Sequence, residues 1–129
     1  MISCRFLTEN PGYQSKFVAF KDVPVTDLRG NKFLLAHALK FLNAITAIVD
    51  NLDDPEYLGE TLHTLGRIHN RFNVTYRMFE RAGTSLVGSM TQTLGVEVMN
   101  ETAQLAWQKA YDIIISVIKP DLERPLSRS

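Results

Sequence analysis

Three histidines carry the coordination chemistry available to this sequence: His37, His63 and His69. His37 has Phe33 and Phe41 one helical turn away on either side, and His69 has Leu65 one turn before it. Both imidazoles therefore fall on apolar stripes. His63 precedes His69 by six residues, which rotates it about 120° around a helix of 3.6 residues per turn, so it is expected to face solvent. One imidazole on an apolar face reads most simply as a core residue with a hydrogen-bonded ring. Two on consecutive helices invite a second reading, because each buried ring must satisfy its polar nitrogens and a shared metal does so directly. A bare metal site would recruit a third or fourth protein ligand. The two stripes offer only Leu, Ile, Ala and Phe, no HExxH pattern occurs, and the single cysteine, Cys4, is remote. A planar cofactor that brings its own four nitrogens needs only axial imidazoles and apolar walls, which is the ligation of haem by a proximal histidine. Core packing and haem ligation both remain open on these residues alone.

The elements that must position these rings are helices. Phe33, His37, Phe41, Ala44, Ile45, Ile48 and Leu52 recur every three or four residues over 32–52, and Asn31 can cap their start. Leu58, Leu62, Leu65, His69 and Phe72 repeat likewise over 55–72, with Pro55 suited to a first turn. A third stripe over 75–94 holds Met78, Phe79, Ala82, Leu86, Val87, Met90 and Leu94, and Gly95 ends it. The fourth helix, 101–119, is capped by Asn100 and expected to stop before Pro120; its apolar positions include Leu105, Trp107, Tyr111, Ile114, Ile115 and Ile118. Residues 1–30 give short turns over 2–8, 11–17 and 25–29. No alternating strand pattern of useful length appears, so the fold is expected to be all-α. The domain is expected to span 1–119, with a disordered tail over 120–129.

Composition narrows the partners. Lys plus Arg number 14 and Asp plus Glu number 14, which leaves no basic excess for nucleic acid or an acidic membrane surface. No apolar run is expected to approach the roughly 20 residues needed to span a bilayer, and the start lacks a signal-peptide core. A single cysteine precludes an intramolecular disulfide and favours a reducing compartment; a cytoplasmic location is expected. Cys4 is read as packing. Asp53 and Asp54 read as a turn and cap, and no Ser–His–Asp set, phosphate loop or carboxylate pair indicates an enzyme.

Several segments in order resemble the globin family. LHTLGRIHNRFNV (62–74) resembles the proximal helix and its corner, and KFLLAHALKFLNAITAIVDNLDD (32–54) the distal helix. FERAGTSLVGSMTQTLG (79–95) and LAWQKAYDIIISVI (105–118) resemble the last two helices, and TENPGYQSKFVAFKDV (8–23) the proline corner. His37 and His69 are 32 residues apart, as in neuroglobin-like and invertebrate globins. The resemblance covers roughly 5–120 and implies a globin fold lacking the first helix and most of the second. It implies a haem cofactor, with His69 as proximal iron ligand and His37 as the distal histidine, able to donate to bound gas or to ligate iron. Phe17 would stack on the haem face, with Phe20 as the second corner phenylalanine. Phe41, Leu65, Ile68, Val74 and Phe79 would line the pocket, and Lys40 is a partner for a propionate or a solvated lysine.

The implied function is reversible binding of a diatomic gas, chiefly oxygen, without enzymatic turnover; redox or nitrite chemistry at the same iron is a further reading. The alternative is a helical module without functional haem, acting in protein interaction or as a non-functional fragment. Loss of the first helix would uncover an apolar patch around Val87, Leu105 and Ile114, through which the chain is expected to self-associate.

Overall fold

The computed structural model describes residues 2–125, with side chains from residue 5. The Cys4 side chain and residues 126–129 of the expected tail lie outside the described residues. The described residues hold five α-helices and no strand, so the all-α reading holds. The chain divides after Thr61 into two compact units.

The first unit begins with α1 (Ile2–Glu9), followed by 3-10 turns at Pro11–Lys16 and Val25–Gly30, then α2 (Lys32–Asp50). The three short N-terminal pieces stand where the breakers place them. Leu7 of α1, Phe20 between the two 3-10 turns, Leu28 of the second turn and Leu34 of α2 form a small core, with Phe6, Tyr13, Phe17 and Val23 packed against it. Such short turns leave backbone carbonyls without helical partners, and a buried side chain compensates. The Gln14 amide donates to the Phe20 carbonyl at 2.8 Å and to the Val23 carbonyl at 2.6 Å, fixing the bend between the 3-10 turns.

Asn31 caps α2, its Oδ1 accepting from the amides of Phe33 and Leu34 at 3.0 Å each. The inward face of α2 is set by Leu34, His37, Phe41, Ala44, Ile45 and Ile48. Phe33 and Leu52, expected on that face, are exposed. Leu34 takes the buried place instead, and the Phe33 ring stays outside beneath the Lys32 ammonium, 5.3 Å from its centroid. Leu35, Leu39, Leu42 and Val49 are exposed on the other side. Consequently α2 is long and apolar enough, by length and composition, to cross a membrane. The expectation that no apolar run approaches the length needed to span a bilayer is thus corrected: Lys32–Asp50 reaches it by length and composition, with 11% of that stretch buried.

The second unit comprises α3 (Pro55–Arg71) from Leu62 onward, α4 (Tyr76–Leu94) and α5 (Glu101–Glu123). Asn73 ends α3 in the left-handed region, with φ 58°, a conformation that asparagine tolerates better than most residues. Thr75 Oγ1 caps α4 through the Met78 amide, Gly95 at φ 81° ends it, and Asn100 caps α5 through the Ala103 amide. α4 and α5 meet at Gly83, where a Cβ would lie 2.3 Å from Tyr111 Cε1. Only glycine admits the ring there. The Tyr111 hydroxyl then donates to the Phe79 carbonyl at 2.5 Å, and burial, with Asp112 and Tyr76 adding, raises the phenol's pKa.

Two expectations about α5 are corrected. The helix does not stop before Pro120 but continues to Glu123, with Asp121 and Leu122 buried. An internal proline costs about 3 kcal/mol or more; burial of Leu122 and the pairing of Asp121 with His63 offset it. The buried face runs through Tyr111, Ile115, Ile118 and Leu122, so Leu105 is exposed. Of the patch expected to be uncovered, Val87 and Ile114 are half-buried.

Candidate cofactor site

In the second unit, α3 carries His69 two residues before its last residue, Arg71, and the ring is fixed locally. His69 Nδ1 lies 2.8 Å from the Leu65 carbonyl. A carbonyl only accepts, so Nδ1 carries the proton, and in the neutral ring the lone pair is on Nε2. That is the form in which imidazole ligates a metal, with the other nitrogen's hydrogen bond setting tautomer and orientation. Phe79 meets the ring edge-on, with centroids 5.1 Å apart and planes at 67°. The Val74 amide donates to the His69 carbonyl at 3.2 Å. Leu65 and Val74, expected as pocket wall, thus also act on His69 through their backbone. Ile68 is 44% exposed on the same helix.

Burial lowers the pKa of His69 below its ordinary 6.5, and the Leu65 hydrogen bond opposes that shift only in part. The unfolded chain therefore takes up this proton at higher pH than the folded one. The stability contributed by the neutral ring is present above 6.5 and is lost as pH falls through the folded value. Thermal melts of the cofactor-free chain should decline as pH falls from 6.5 toward the lower folded value, and the decline should be smaller in His69→Leu. Equal slopes in the two proteins would contradict the burial of a neutral ring.

In the first unit, three rings are anchored in series. Phe20 is 3% exposed within the small core. Phe17 stacks on it at 4.8 Å with planes at 17°. His37 then stands edge-on to Phe17 at 4.9 Å and 80°. The corner thereby holds the His37 ring while the buried Phe20 supports Phe17 from the core side. Phe41, one turn after His37, is half-buried, and Lys40 is exposed.

The structure thus groups Phe17, Phe20 and His37 in one unit, and Leu65, His69, Val74 and Phe79 in the other. Sequence reasoning placed Tyr111 on its helix's apolar face, where it is buried, but missed its bond to Phe79, and it missed Gln14, Gly83 and the His63–Asp121 pair. Gln14 follows the Pro11-Gly12 turn, a place where a buried amide has carbonyls to satisfy. The others depend on helix-to-helix contacts that no local pattern encodes. Among the described residues no cluster of three or more His, Cys, Asp or Glu could hold a metal ion. A donor set of single imidazoles on apolar helices fits a cofactor that brings its own equatorial ligands, and the committed Nδ1 of His69 fits an axial role.

Comparison with known proteins agrees. The family model described as Globin matches residues 1–118. A globin from Nerita albicilla is 25% identical over 93% of this chain and 76% of its own length. A neuroglobin from Danio rerio is 33% identical over 65% of this chain, and the match spans 52% of that protein. In structure, a hexa-coordinate haemoglobin of Drosophila melanogaster superposes with a TM-score of 0.81 at 22% identity, covering 91% of this chain and 76% of that one. The chain belongs to the globin family, and its cofactor is haem.

Proposed function

We propose that this chain binds a diatomic gas, chiefly oxygen, reversibly at haem iron. The observation that carries the reading is the half-buried His69 ring, whose Nδ1 is committed to the Leu65 carbonyl at 2.8 Å. Haem supplies the iron at which the gas binds. The chain supplies the rest. His69 would hold the haem iron through Nε2, and its hydrogen bond to Leu65 would raise the ring's basicity. Phe79 restrains the ring's rotation. The Phe20–Phe17 stack holds His37, which would serve either as a donor to the gas or as a second ligand to the iron. Phe41 and Ile68 contribute apolar surface that excludes water, and Lys40 is the candidate partner for a propionate. No catalytic set is invoked, and a cytosolic setting suits a chain with one cysteine.

The structural neighbour is described as hexa-coordinate, which supports the second-ligand role for His37. The ferrous, gas-free protein is then expected to show a low-spin spectrum that becomes five-coordinate and high-spin in His37→Leu. A high-spin parent would remove His37 from the sixth position. Repeated cycles of oxygen and argon should interconvert two ferrous spectra. Immediate oxidation to the ferric form, with no recoverable oxygenated spectrum, would overturn the gas-binding function.

A further inference from the structure

We propose that His63 and Asp121 are positioning residues for His69, joined in a clamp that holds α3 through the last turn of α5; this rests on the haem reading above. Asp121 is 2% exposed, although it directly follows a helix-breaking proline. A carboxylate is not buried without compensation. Its Oδ2 accepts from His63 Nδ1 at 2.5 Å, and Arg124 Nη2 stands 3.8 Å from its Oδ1. Three residues further along α3, Gly66 permits the closest approach. A Cβ there would lie 2.7 Å from Asp121 Cβ and 3.0 Å from Ile118 Cγ2. Four residues beyond, the Asn70 amide donates to the Arg124 carbonyl at 2.8 Å.

Residues 63, 66 and 70 share one face of α3, since they are spaced by three and four. His69 lies about a quarter-turn around the helix from that face, at roughly 100° per residue. A roll of α3 against α5 therefore swings the His69 ring and its Nε2. The Leu65 hydrogen bond cannot prevent this, because it belongs to the same helix and rolls with it. The clamp supplies what that bond lacks, an anchor outside α3. It also gives His63 a role beyond the solvent-facing one its spacing suggests: its side chain is 46% exposed yet tied at Nδ1.

The test uses the full chain reconstituted with haem, in a His37→Leu background so that the iron–histidine stretch of the ferrous form is visible by resonance Raman. His63→Ala removes the donor to Asp121. His63→Asn places an amide nitrogen near the position of Nδ1 and restores it. Leu28→Ala, in the core of the other unit, is the control for general loss of stability. His63→Ala is expected to shift the iron–histidine band and to speed haem loss to a scavenging apoprotein by about tenfold, the lower range for removing a group that supports a ligand. His63→Asn should return both toward the parent, and Leu28→Ala should lower the melting temperature without moving the band. An unmoved band in His63→Ala, or an equal shift in Leu28→Ala, would overturn the clamp while leaving the haem reading intact. A parent chain that takes up no haem would overturn both.

Discussion

His69→Ala is expected to abolish stable haem retention. Helix α3 offers His63 as its other imidazole, and that ring is tied to Asp121 by its Nδ1, on a different face of the helix. No neighbouring side chain can take over the axial bond: Leu65, Ile68 and Phe72 are apolar. Removal of the ligand also leaves the Leu65 carbonyl without its side-chain donor. Haem loss should accelerate more than about 100-fold, which corresponds to roughly 2.8 kcal/mol of lost binding at about 1.4 kcal/mol per decade. Added imidazole should restore part of the absorption spectrum, because the missing group is a free ligand's equivalent. Haem retention equal to the parent's, without imidazole, would show that His69 is not the proximal ligand.

Gly83→Ala is expected to have the largest effect on folding, although Gly83 touches no cofactor. The new Cβ would fall 2.3 Å from Tyr111 Cε1 and 2.4 Å from Cδ1, so the phenol ring must move. Overpacking of this kind costs roughly 1–3 kcal/mol. Displacing the ring also breaks the hydrogen bond from Tyr111 to the Phe79 carbonyl, a further loss of about 1 kcal/mol. A drop in melting temperature of roughly 4 °C or more follows for a domain of this size. Phe79 stands edge-on to His69, so the disturbance should reach the His69 ring and, on the proposed reading, speed haem loss as well. Pairing the change with Tyr111→Leu should shrink its cost, since the two sites share one contact. Additive losses in the double variant would refute the steric basis.

The residues that punctuate helices made most of the fold legible. Asn31, Pro55, Gly95 and Asn100 each stand at the end their chemistry indicates, because capping and positive φ are decided within a few residues. The short turns of the first thirty residues were readable for the same reason. Pro120 shows the limit of that logic. Its local signal is a stop, yet α5 continues because Asp121 meets His63 from 58 residues away. Phe33 and Leu34 show another limit: adjacent apolar residues compete for one buried place, and the choice lies with Leu7, Phe20 and Leu28. For the candidate site, spacing brought out His37 and His69. The Leu65 bond that fixes the His69 tautomer and the Phe20–Phe17–His37 series are matters of side-chain direction, which spacing does not specify.

On the proposed reading, this chain holds haem through His69. Titration of the purified chain with haemin, followed by reduction under argon, tests it most directly. A sharp Soret band that saturates at one haem per chain, and is lost in His69→Ala, is the expected result. A broad absorption that grows without saturation, as haem adsorbs to exposed apolar surface, or a saturating band identical in His69→Ala, would contradict it.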